Sequence, residues 1–247
     1  MMTAYITGVG WVSASGMGYG RCYDAFSMIK GPLPEITRKD IFNKAYKGFG
    51  RMDKFSKIGL AAIAFALRDA GLEDWSEKRN IGTIASTFYG CLNTDINYYN
   101  TVIPEEGTLA SPGLFAYTLP NCFLGEASIC FGMTGTGFVI NEKASNGFKS
   151  LEAALESLEC REHEIMLCGL CETGCPPNFK VAHKTDEGIS GALFFVIAKK
   201  TCDNHRNYGA IRLGESNNIL FNNTEVADLC MLAEKCLKSN PDEKTQL

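Results

Sequence analysis

The segment Ile58-Gly59-Leu60-Ala61-Ala62-Ile63-Ala64-Phe65-Ala66-Leu67 is apolar on every face. At helical pitch it makes almost ~3 turns with no stripe left for water. A helix of this kind has to be covered all round, which demands a layered fold with a sheet beneath it and further helices or another chain above. Spacing predicts the helix over Lys57 to Ala70, with Asp53 or Ser56 as its N-cap.

Apolar, β-branched runs supply the sheet. Ala4 to Ser13 reads as a buried strand entering a glycine turn, Ile81 to Ser86 as a second strand and Glu164 to Gly169 as a third. Ala192 to Ala198 is a strongly apolar fourth strand, and Ala210 to Leu213 is expected to pair beside it. Strands separated by helices imply βαβ units. The fold class is therefore α/β: a mixed, mostly parallel sheet of about five strands with helices on both faces. Gly8, Gly10 and Ser13 loosely mimic a dinucleotide fingerprint, but the third glycine and the later ribose-binding acid are missing.

The chemistry-bearing stretch is Phe131 to Phe148. Thr136 to Asn141 has strand character, Ser145 and Asn146 are suited to capping a helix, and Leu151, Leu155 and Leu158 continue at helical spacing. Lys149, Glu152, Glu156 and Glu159 occupy the other faces of that helix. A strand feeding a helix N-terminus places a side chain beside free backbone N–H groups at the positive end of the helix dipole, where α/β enzymes often hold a nucleophile.

This stretch resembles the nucleophile region of the β-ketoacyl synthases, condensing enzymes of the thiolase superfamily. Their pattern is a Phe-Gly-x-x-Gly-Pro turn, a strand, then Thr-Ala-Cys-Ala-Ser-Gly. Aligned without gaps, forwards from Gly135 or backwards from Gly147, the family's cysteine falls on Ala144, within Glu142-Lys143-Ala144-Ser145-Asn146-Gly147. Further likenesses are Arg51-Met52-Asp53-Lys54-Phe55 with Asp69 to Leu72, and Leu119-Pro120-Asn121 before a helical piece through Gly125 to Phe131. The resemblance covers about residues 3–238, but only the first half of the family's thiolase fold. It implies one synthase N-terminal-like domain over 1–238, followed by a polar tail over 239–247.

A methyl group cannot attack a thioester, so the resemblance implies a degenerate nucleophile position at Ala144 and no condensing activity of its own. The family's two catalytic histidines lie in the other half; His163, His183 and His205 occur in none of its motifs. Lys143 and Ser145 point about 100° away from Ala144 on a helix, so neither replaces it. Asn141, Glu142, Lys143, Ala144, Ser145, Phe138 and Asn121 are expected to line a pocket or subunit interface. Glu142 and Lys143 would pair with each other or with a partner subunit.

Cys168, Cys171 and Cys175 superficially resemble a metal motif, but a fourth ligand, Cys202, Cys122 or His183, has nothing to recommend it. No metal and no cofactor are expected, and the 11 cysteines read as reduced thiols of a cytoplasmic protein. A hydrophobic share of 45% excludes a disordered chain. A net charge of -4 argues against nucleic acid as a default partner. No apolar run is long enough to span a bilayer, and no signal peptide is evident.

Near the end, Asn222 and Glu225 fit a capping box, with an amphipathic helix expected from Val226 to Leu237, which is one candidate lid over the apolar helix, another chain being the other. Two function classes follow. One is a non-catalytic partner of a catalytic synthase, like the chain-length factors of fatty acid, polyketide or polyene pathways, meeting acyl carrier protein only indirectly. The alternatives are a residual malonyl- or acyl-thioester decarboxylase and a stand-alone homodimer binding an acyl ligand. Synthases pair a central strand across a two-fold axis, so a dimer, with itself or with a synthase, is expected.

Overall fold

The computed structural model describes residues 2–20, 26–104, 106–142, 147–175, 190–201, 206–215 and 218–238. Its strands are β1 (Ala4–Ser13), β2 (Gly16–Tyr19), β3 (Ile81–Thr87), β4 (Gly137–Asn141), β5 (Ile165–Glu172), β6 (Gly191–Ala198), β7 (Gly209–Leu213), β8 (Ile219–Phe221) and β9 (Thr224–Val226). Its helices are α1 (Arg38–Ile41), α2 (Lys54–Asp69), α3 (Leu92–Val102), α4 (Pro112–Phe115), α5 (Cys122–Phe131), α6 (Phe148–Glu159) and α7 (Leu229–Lys238).

All strands join one sheet in the order β4-β3-β5-β6-β1-β7-β8-β9, with β2 on β1. The α/β class with helices on both faces is as expected, but the sheet has nine strands rather than about five. Only the pairings of β3 with β4 and with β5 are parallel; the others are antiparallel. Helix crossovers, which parallel neighbours require, connect only the β3, β4 and β5 group. β7 pairs with β1 and not with β6. Both edges of β6 are already taken, by β5 and β1.

Side chains of β5 and β6 alternate between two cores. Leu167, Cys171, Phe194 and Val196 face α2, whereas Met166, Cys168, Leu170, Leu193, Phe195 and Ile197 face α6 and α7. In β1 a bulge between Ile6 and Gly8 shifts the period, so Ile6 and Val9 share a face and Gly8 and Gly10 share the other. The two glycines are where α2 touches the sheet. A Cβ on Gly8 would lie 2.4 Å from the Ala66 carbonyl oxygen, and one on Gly10 2.2 Å from the Ala66 nitrogen. Glycine here permits close helix–strand contact, and the apparent dinucleotide motif is accounted for by packing.

Helix α2 is capped by Asp53, whose carboxylate accepts from the Ser56 N–H at 2.9 Å. Every residue from Ile58 to Leu67 is buried. The cover is not the C-terminal helix. It is α5, through Phe123, Leu124, Ala127 and Phe131, together with Ile36, Ile41, Phe49 and Met52. α7 packs instead on the opposite side of the sheet, beside α6.

The C-terminal segment also departs from expectation. Asn222 and Asn223 have φ of 48° and 62°, and they turn the chain between β8 and β9. Two successive left-handed residues match the twist of a tight hairpin, which outcompetes the expected capping box. α7 therefore starts later, capped by Asp228, whose Oδ1 accepts from the Met231 N–H at 2.7 Å. The outer face of α6 carries Lys149, Glu156 and Glu159 exposed to water, with Lys149 paired to Glu152 at 2.6 Å. Among the described residues, no helix is long and apolar enough to cross a membrane.

Candidate functional site

Parallel strands β3, β4 and β5 end together, and α6 starts at the same corner. Their last residues, Ser86, Thr87, Glu142, Leu170 and Glu172, line it with Phe88 and Gly147. Such a place, beyond the carboxyl ends of parallel strands and at a helix N-terminus, is where α/β folds hold ligands. Lys143, Ala144 and Ser145, the core of the expected nucleophile turn, lie outside the described residues, as does Asn146.

The capping of α6 differs from the expected Ser145 or Asn146. Gly147 occupies the N-cap with φ 75° and no side-chain bond. Two distant side chains take the orphan donors: Glu142 Oε1 accepts from the Lys149 N–H at 3.4 Å, and Ser86 Oγ accepts from the Ser150 N–H at 3.1 Å. Glu142 is thus a buried carboxyl tying the end of β4 to the start of α6. Its Oε2 has no hydrogen-bond partner among the described residues. Burial pushes this carboxyl above the ordinary range; the Ser86 hydroxyl and the Lys149 N–H act the other way.

Glu172, which the sequence reading missed, is the second buried carboxyl. Its Oε2 accepts from the Phe88 N–H at 2.8 Å, the Tyr89 N–H at 3.0 Å and the Thr87 hydroxyl at 3.3 Å. Its Oε1 accepts from the Gly174 N–H at 3.1 Å. Burial raises its pKa while these four bonds lower it. The carboxylate orders the turn after β3. A glutamate ending an otherwise apolar strand was the available signal.

Among the described residues the corner is narrow. A Cβ on Gly147 would meet Leu229 Cδ1 at 2.4 Å and Leu170 Cδ2 at 3.0 Å, so the first residue of α7 sits directly on the start of α6. The cavity that remains is about 10 Å³, room for one water. Cys171, nearest in sequence, is fully buried, and burial lifts its thiol far above the range where a thiolate forms.

His163 lies at the other end of the strands. Its Nε2 accepts from the Thr136 N–H at 3.1 Å, just before β4. That assigns the ring proton to Nδ1, which donates to Ser157 Oγ at 2.9 Å, and the Ser157 hydroxyl reaches Glu162 at 3.0 Å. Serine, histidine and a carboxylate meet here, but the imidazole lone pair is spent on backbone. The imidazole is therefore not available to the hydroxyl as a base. His183 and His205 lie outside the described residues.

The remaining expected site residues separate. Phe138 is 40% exposed on β4, which among the described residues is an edge strand hydrogen-bonded only to β3. Asn141 ends that strand and donates from Nδ2 to the Phe88 carbonyl at 3.1 Å. Asn121 is exposed at the start of α5 and makes no side-chain cap. Cys168 and Cys171 point to opposite faces of β5, so they cannot share a metal ion. Cys202 lies outside the described residues.

Apolar surface is exposed as well. Ile129 of α5, the helix that packs beside β4, is 70% exposed, and Leu119 and Phe115 are also bare. A strand edge with no partner among the described residues, with apolar surface on the neighbouring helix, is a template for another chain.

The sequence pattern described as beta-ketoacyl synthase, N-terminal domain, matches residues 30–186. No curated protein matches the sequence. Among solved structures, the ishigamide ketosynthase/chain length factor superposes with a TM-score of 0.65 at 17% identity, over 86% of this chain and 62% of that one. A type II acyl-carrier protein complex with its ketosynthase bound to the hexaketide contains a chain matching at 0.64 and 18%, over 86% and 67%. A ketosynthase in complex with its chain length factor from Xenorhabdus doucetiae matches at 0.59 and 13%, over 81% of each chain. The chain thus spans about three fifths of the first of these relatives. At such identities the likeness is one of fold, the thiolase-like α/β arrangement.

Proposed function

The chain belongs to the β-ketoacyl synthase family through its N-terminal domain, and from that premise we propose that it is a non-catalytic, chain-length-factor-type partner of a catalytic synthase. Fatty acid, polyketide or polyene assembly is the setting. The observation that carries the reading is the contrast between a narrow corner and a strand edge with no partner among the described residues. Leu229 and the buried Glu142 crowd the corner where the resemblance expects the nucleophile. β4, which leads into that corner, presents that edge and the half-exposed ring of Phe138.

Condensation needs a thiolate and groups that stabilise an enolate. The aligned position of the thiolate is Ala144, and the one described histidine is engaged elsewhere. Activity therefore has to come from the other chain, and this chain contributes surface. Docking along β4 would extend the sheet across the contact and bury Phe138 against the synthase. The end of the synthase's acyl tunnel would then abut this surface, which limits product length. Acyl carrier protein would meet the synthase and reach this chain only indirectly. The match over an equal share of both chains to a protein from a ketosynthase–chain length factor assembly indicates that a chain of this length occurs in such complexes.

Co-expression with a catalytic synthase from the same source tests the reading. A heterodimer is expected on size-exclusion chromatography with light scattering. Phe138→Glu, at a solvent-reaching position, should leave the isolated chain folded and weaken the complex at least tenfold. A chain that forms only homodimers, or ignores the synthase, contradicts the proposal.

A further inference from the structure

Between the segments that follow α1 and α2 and the last residues of α5 lies a cavity of about 330 Å³. Four aromatic side chains, Phe42, Tyr46, Trp75 and Phe131, line it together with Glu73, Asp74 and Lys44. The aromatic walls are held in place. Phe42 and Tyr46 have ring centroids 5.3 Å apart, and Phe42 stacks on Phe131 at 6.1 Å. The Tyr46 hydroxyl is bound to Glu126. Trp75 donates from Nε1 to the Cys130 carbonyl at 2.9 Å, and a Cβ on Gly132 would touch its indole at 2.5 Å. A tryptophan pinned on one side yet 41% exposed is a platform whose remaining surface has no occupant in the chain.

One carboxylate at the rim is available to a cation. Glu73 is already neutralised by Arg68, through bonds of 2.6 and 2.7 Å. Asp74 is exposed and has no hydrogen-bond or ion-pair partner among the described residues. Lys44 is exposed and free to swing outward. The cation–π contacts described within the chain use Phe49, Tyr19, Phe65 and Tyr208, none of them a ring of this cavity. No nucleophile is at hand, since burial lifts the Cys130 thiol to about 11.

We propose that this cavity binds the head group of a small organic ammonium ion, stacked on Trp75 and Tyr46 and paired with Asp74. Aromatic faces attract such ions through their quadrupoles, and a methylated ammonium is poorly hydrated, so it loses little on leaving water.

The chain carries its own reporter. It has two tryptophans, and the other, Trp11, is only 2% exposed and packed against Phe26. Titrating the full chain with tetramethylammonium chloride should give saturable quenching of Trp75 fluorescence in the millimolar range. Asp74→Asn keeps the reporter and should weaken binding about tenfold, and Lys44→Gln should tighten it. Ligand-observed NMR should show the same saturation with wild type and none with Trp75→Leu. A response that fails to saturate, that tert-butanol or sodium chloride reproduces, or that Asp74→Asn leaves intact overturns the proposal.

Discussion

Replacing Gly10 by alanine tests the packing of α2 on the sheet. The added methyl would stand 2.2 Å from the Ala66 nitrogen, 2.5 Å from the Ala62 carbonyl oxygen and 2.7 Å from the Phe65 carbonyl carbon. All three are backbone atoms, so no rotamer change relieves the clash. Restoring ordinary contact requires α2 to lift by about 1 Å, and a gap of that size forfeits a quarter to a half of the dispersion energy of the atoms along it. The expected cost is about 3 kcal/mol or more, at the upper end for overpacking. In a chain of this size that lowers the melting temperature by roughly 6–12 °C. Urea unfolding followed by circular dichroism measures it. Gly125→Ala is the control, because its Cβ would meet nothing within 4 Å and it lies inside α5, where alanine should stabilise by about 1 kcal/mol. A Gly10→Ala variant that loses less than ~1 kcal/mol would refute the reasoning that this glycine exists to admit the helix.

Glu142→Gln should change how stability responds to pH. The folded-state carboxyl titrates above its unfolded value because it is buried. Its contribution is therefore full below the unfolded pKa and is lost as pH rises through the folded one. The variant should gain on wild type between acid and neutral pH, by an amount within the about 1–3 kcal/mol cost of an unpaired buried polar group; parallel stability curves would refute this. His163→Phe strands the Thr136 N–H and should cost about 1–3 kcal/mol in chemical denaturation, with local loosening before β4. An unchanged midpoint would deny the histidine its structural role.

Much of this architecture was legible because strong local signals agreed with the global packing. The apolar run from Ile58 to Leu67, the Asp53 cap and strands β1, β3, β5 and β6 appear where periodicity places them. The strand feeding the helix at Phe148 does too. What failed depended on partners distant in sequence. Strand direction could not be read from apolar runs, since a strand buried on both faces looks alike in parallel and antiparallel surroundings. The turn at Asn222 and Asn223 was obscured by the capping-box spacing that Glu225 happened to complete. Coverage of α2 came from α5 and from the segment Ile36 to Met52, which has no long periodic run to betray it. At the site, the expected loss of a nucleophile rested on one residue, Ala144, whereas the contact of Leu229 with Gly147 brings together positions 82 residues apart only in the folded chain. The charged outer face of α6 was visible in Lys149, Glu156 and Glu159, and the structure places all three in water.

Hydrogen exchange at the amides of Gly137 to Asn141 is the most direct measurement of whether this chain works by docking. In the isolated protein the outward-pointing amides of β4 should exchange quickly, because their edge has no partner strand among the described residues. Adding the catalytic synthase should slow those same amides strongly while leaving β6 unchanged. Exchange on β4 that the synthase does not alter, or that is already slow in the isolated chain, would contradict the account.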